Sequence, residues 1–118
     1  MEFTLSAKTS EYAAKLQAFM DKEVFPAEAV YEHQRAELKA AGKPHGLPAV
    51  VEELKVKARA QGLWNLFLPH SHDPHHGLTV TEYATLAEIT GWSPEIAPEA
   101  INCAAPDTGN MELLDMFA

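Results

Sequence analysis

Apolar residues recur at helical spacing through most of the chain. Tyr12, Leu16, Phe19, Met20 and Val24 fall on one face of a predicted helix from about Ser10 to Phe25. Residues three and four positions apart stack on the same side of a helix with ~3.6 residues per turn. Thr9 or Ser10 can cap its start, since a short hydroxyl side chain accepts a bond from a free backbone N–H. Pro26 interrupts the pattern and reads as the first position of a second helix, Pro26 to about Ala41, carrying Val30, Tyr31 and Leu38. Gly42 stops it, and GKPHGLP is a loop.

A third helix is predicted from Pro48 to near Gln61, with Val51, Leu54 and Ala58 as its apolar stripe and Gly62 as its stop. The short apolar run LWNLFLP, Leu63 to Pro69, reads as a buried turn, and HSHDPHHG, His70 to Gly77, as a loop. Thr79 and Glu82 have capping-box spacing at the start of a fourth helix that Gly91 closes. A last helix begins between Pro94 and Pro98 and carries Ile101, Met111, Leu113, Leu114 and Phe117, with Pro106 kinking or dividing it. The final residues keep a helical pattern with no stop signal, which predicts that the chain is part of something longer.

Composition agrees with helices. Ala, Leu, Glu and Lys far outnumber the β-branched Val and Ile, and no alternating run is flanked by hairpin turns. The expected architecture is all-α, an up-and-down bundle of about five to six helices in one domain spanning residues 1–118. The net charge of -8 argues against nucleic acid and anionic membranes as main partners, because phosphate binding needs clustered cations. No apolar run is long enough for a membrane span. The single cysteine, Cys103, rules out an intrachain disulfide; its usage suits a reducing compartment, and a cytoplasmic location is expected.

Several residues invite chemistry. His70, His72, His75 and His76, with Asp73 between them, suit zinc, nickel or copper by ligand type. Their spacing matches no helical metal motif, so a solvated loop is expected and no metal is assigned. Cys103 has no local partner motif and is expected to be a packing residue. Trp64 and Trp92 each follow a helix-ending glycine, which favours core packing over ligand binding. No phosphate-binding glycine loop, nucleophile elbow or separated acid–base pair is visible. The segment NCAAPDTGNMELL is unusual, combining small residues with Asp107, Thr108 and Asn110 where a packed helix is expected. Small residues admit close approach by a backbone or a ligand.

Four segments in order carry a family resemblance: FMDKEVFPAEAVYEHQ, EELKVKARAQGLWNLFLP, TVTEYATLAEITGWS and EAINCAAPDTGNMELL. Together they resemble the N-terminal helical domain of acyl-CoA dehydrogenases, and the last resembles the subgroup with long-chain and branched-chain activity. The resemblance covers about Leu5 to Ala118. The family's double-glycine loop is replaced here by HSHDPHHG with only Gly77.

The resemblance implies an FAD-dependent enzyme that oxidises the α,β bond of an acyl-CoA thioester. The flavin and the catalytic glutamate would belong to a middle β-domain and a C-terminal helical bundle, so no residue here inherits a catalytic role. This chain would pack against those domains and wall the acyl pocket with Asn102, Ala105, Pro106 and Gly109. It would not bind FAD or catalyse alone, and its exposed apolar face would favour a homo-oligomer. The alternative is a stand-alone helical protein-interaction module.

Overall fold

A computed structural model describes residues 6–66 and 78–104, with residues 110, 111, 113, 114 and 117 of the last segment. Among the described residues every regular element is helical, as expected: α1 (Ala7–Phe19), a π-helical segment (Met20–Val24), α2 (Phe25–Ala40), α3 (Ala49–Ala60), α4 (Val80–Thr90) and α5 (Ala97–Ala100). They form an up-and-down bundle in which α1 packs on α4, and α3 packs on both α2 and α5. No described helix is long and apolar enough to cross a membrane.

The first helix starts earlier than its sequence signals suggest. Ser6, not Thr9 or Ser10, is the N-cap, and its hydroxyl accepts from the Thr9 N–H at 3.1 Å. Thr9 is buried instead.

The break expected at Pro26 is absent. α1, the π segment and α2 follow without interruption. A proline inside an α-helix lacks its N–H and crowds the carbonyl four residues back. Here the backbone widens by one residue just before the proline, so that the Phe25 N–H bonds to the Met20 carbonyl. One π turn thus absorbs the defect without ending the helix.

Two glycines close helices as predicted. Gly42 and Gly62 lie at φ +79° and +74°, in the left-handed region that side chains resist. After α3 the Gly62 N–H bonds to the Arg59 carbonyl at 3.1 Å and the Leu63 N–H to the Ala58 carbonyl at 2.9 Å. This is a Schellman closure, and the end of α2 repeats it. The start of α3 is covered from outside: the Gln34 side chain of α2 accepts from the Val50 N–H at 2.8 Å.

The core follows the predicted stripes. Leu16, Phe19, Met20 and Val24 meet Val51, Leu54, Ala58, Leu63, Leu66, Leu78, Leu86, Ile96 and Ile101. Each large side chain buried in this way contributes ~1.5–3 kcal/mol. Leu63 and Leu66 enter the core from a turn, not a strand. Among the apolar positions expected to pack inward, Val30, Trp92, Leu113, Leu114 and Phe117 are exposed instead. Val30 is 45% exposed and Trp92 is 76% exposed. Gly91 ends α4 in a right-handed conformation, φ -61°, and the small Ser93 turns inward in place of the indole. The Ser93 carbonyl then accepts from Ile96 and Ala97 and launches α5.

Candidate functional site

The residue set expected to line an acyl pocket begins at Asn102. Ala105, Pro106 and Gly109 lie outside the described residues. So do His70, His72, Asp73, His75 and His76. Among the described residues no group of His, Cys, Asp and Glu could hold a metal ion.

Asn102 sits where α5 stops. The helix lasts four residues, with Pro98 in its first turn. Asn102 follows at φ +63°, its N–H bonded to the Glu99 carbonyl at 3.2 Å, and the Cys103 N–H bonds to the Pro98 carbonyl at 2.7 Å. This repeats the closure seen at Gly42 and Gly62, with asparagine in the left-handed position.

The side chain of Asn102 faces another left-handed asparagine. Asn65, φ +61°, lies in the Leu63–Leu66 turn. Its N–H bonds to the Ile101 carbonyl at 3.1 Å, and its Oδ1 accepts from Asn102 Nδ2 at 2.6 Å. Asn102 Nδ2 also approaches Met111 Sδ at 3.2 Å, tying α5 to the last segment. Ile101, between these contacts and the core, is fully buried. Beside it the Arg59 guanidinium stacks on the half-buried Trp64 ring, 4.0 Å from its centroid.

Cys103 is half-buried and interacts with the Tyr83 hydroxyl of α4. Burial pushes its thiol pKa up, while the bond from Tyr83 opposes the shift. Burial also raises the Tyr83 phenol, followed by its bond to Cys103. A thiol held protonated in this way is a poor nucleophile, in keeping with the packing role expected of it.

The sequence reading singled out Asn102 and missed Asn65. The signal was present, because Asn65 is the lone polar side chain in LWNLFLP. A polar residue in an otherwise apolar buried turn needs a partner. The structure supplies it from a residue 37 positions away.

One surface cleft of about 400 Å³ is lined by Glu28, Tyr31, Glu32, Pro94, Glu95 and Ile96, and another of about 470 Å³ by Glu32, Arg35, Ala36, Lys39, Pro44 and His45. The three carboxylates of the first would repel a diphosphate, while the second carries cationic side chains. No buried side-chain polar atom among the described residues lacks a partner.

No protein-family model matches the chain. Individual proteins do. The chain is 57% identical over 118 residues to the probable acyl-CoA dehydrogenase FadE2 of Mycobacterium tuberculosis, across 99% of its own length. It is 42% identical over 115 residues to acyl-CoA dehydrogenase family member 11 of Mus musculus. A solved structure from Mycobacterium abscessus, assigned to the acyl-CoA dehydrogenases, superposes with a TM-score of 0.81 at 44% identity over 97% of the chain. The chain belongs to the acyl-CoA dehydrogenase family. It corresponds to the N-terminal-type helical domain of these oxidoreductases. It spans 27% of the FadE2 protein, 14% of the mouse protein and 29% of the Mycobacterium abscessus chain.

Proposed function

We propose that this chain is the N-terminal helical domain of an FAD-dependent acyl-CoA dehydrogenase. It packs against the flavin-holding domains and forms part of the acyl-CoA pocket around Asn102, with Ala105, Pro106 and Gly109 continuing the wall. The observation that carries this reading is an identity of 57% that extends over 99% of the chain but only 27% of the relative. A segment matched end to end inside a much longer protein is a part of a machine. The exposed side chains of Leu113, Leu114 and Phe117 are consistent with a face that other domains cover.

In this reading the chain shapes and dries the alkyl side of the pocket, and α,β-dehydrogenation takes place on residues and a flavin contributed by the other domains. The chain alone is not catalytic. The enzyme belongs to the long-chain and branched-chain subgroup, works in the cytoplasm and forms homo-oligomers. The subgroup rests on the resemblance of the Glu99–Leu114 segment.

The test is to express the complete open reading frame that encodes this chain and titrate the purified protein with short-, long- and branched-chain acyl-CoAs. Bleaching of bound flavin by an acyl-CoA is the expected result, with no bleaching by residues 1–118 alone. A flavin-loaded protein that no acyl-CoA bleaches would overturn the reading.

A further inference from the structure

The chain uses two solutions for left-handed backbone. At Gly42 and Gly62 it uses glycine, and a Cβ added at either position would meet nothing within 4 Å. Glycine is there for its φ and not for lack of room. At Asn65 and Asn102 the same conformation is carried by asparagine, which pays a steric cost that glycine would avoid. Both side chains are in use. Asn65 holds the Ile101–Asn102 turn at two points, by its N–H on the Ile101 carbonyl and by its Oδ1 on the Asn102 amide. The Asn102 amide is thereby aimed in one direction, with Met111 Sδ against the same nitrogen.

We propose that Asn65 is a positioning residue for the acyl-CoA site, acting through Asn102: its two-point grip fixes the Asn102 side chain and the exit of the chain from α5. The inference rests on the reading above that Asn102 belongs to the acyl wall. Asn65 itself touches no substrate in this account.

Asn65→Gly and Asn65→Asp separate the roles. Glycine keeps the left-handed backbone and its N–H but deletes the Oδ1 acceptor. Aspartate restores an acceptor for the Asn102 amide and tolerates the same φ. In the complete enzyme, Asn65→Gly is expected to raise the KM for acyl-CoA about tenfold, the scale of one lost hydrogen bond. Its kcat and flavin content should stay within about twofold of the unaltered enzyme. Asn65→Asp should return KM close to its original value. A KM that Asn65→Gly leaves unchanged would overturn the proposal, as would a loss of flavin and kcat in parallel with KM.

A second readout does not depend on turnover. In the amide NMR spectrum of residues 1–118, the Asn102 side-chain NH2 pair should be shifted and slow to exchange, collapse toward free-amide values in Asn65→Gly and persist in Asn65→Asp. A pair that Asn65→Gly does not move would also overturn the proposal. If the unaltered complete protein shows no acyl-CoA turnover while the NMR signature behaves as expected, the grip stands and the proposed function fails.

Discussion

The Glu82 carboxylate of α4 accepts a hydrogen bond from the hydroxyl of Ser6, the N-cap of α1, at 3.1 Å. Its other oxygen accepts from the Thr79 N–H at 3.0 Å, while Thr79 caps the Glu82 N–H at 3.2 Å. Thr9 adds a longer bond at 3.3 Å. The capping box expected at Thr79 and Glu82 is therefore present and serves two helices. One carboxylate sits at two helix starts, where backbone N–H groups and helix dipoles both favour negative charge.

This arrangement makes stability depend on acid. The Thr79 N–H, with further help from Ser6, Thr79 and Thr9, holds the Glu82 pKa below its ordinary 4.5 against the opposing effect of desolvation. A folded-state pKa below the unfolded one gives stability that is complete above the unfolded value and is lost as pH falls through the folded one. Glutamine can still close the box but carries no charge, so Glu82→Gln should cost about 0.5 kcal/mol at neutral pH. Urea unfolding of both proteins from neutral to strongly acidic pH should show that difference shrinking once the carboxylate is protonated. A gap that stays constant would mean the charge contributes nothing.

Leu54 tests the core. It is 2% exposed on α3, on the predicted stripe with Val51 and Ala58. Leu54→Ala should destabilise the fold by ~2–5 kcal/mol, because both transfer energy and the cavity left behind count. Val56, 68% exposed on the same helix, should tolerate alanine within about 0.5 kcal/mol. Chemical denaturation of the two variants side by side checks both. Similar losses would mean α3 does not present the face described.

The last segment supplies a prediction about assembly. Leu113, Leu114 and Phe117 are 57%, 63% and 76% exposed. Residues 1–118 alone should self-associate, and replacing all three with serine should shift the protein toward monomer in sedimentation velocity. Secondary structure by circular dichroism should be little changed. A chain that is already monomeric before the change would remove this argument for a covered face.

Much of the fold was legible because the strongest signals are local. The α1 and α3 stripes, the stops at Gly42 and Gly62 and the Thr79–Glu82 box each depend on residues within a turn or two of one another. The misreadings came from longer range or from compensation. Ser6 became the cap where Glu82, far along the chain, could share its hydroxyl, and Thr9 was drawn inward. Trp92 pointed outward because Gly91 did not take the left-handed turn that the other two glycines take. At the candidate site, sequence resemblance supplied Asn102, but its partner Asn65 became visible only when the α3 exit and the α5 exit were brought together.

The π segment sets the angular phase of the whole first half. At ~100° per residue, an unbroken α-helix would carry Tyr31 about 100° around the axis from Tyr12. Yet both tyrosines lie against the same core, Tyr31 buried and Tyr12 partly so. The one residue absorbed by the π turn takes back that rotation, so Met20–Val24 works as a phase corrector between two stripes written in different registers. Deleting the exposed Lys22, together with Pro26→Ala so that a proline is not to blame, removes the one residue the π turn absorbs, so the rod should straighten into a plain α-helix while Tyr12 and Tyr31 stay on the same face. The expected protein keeps its helical circular dichroism and its cooperative thermal unfolding; loss of cooperativity would mean that the π turn does more than correct the phase. For the same reason, a helical projection that treats Ala7–Ala40 as one regular helix displaces the residues after the π turn by about 100° relative to those before it.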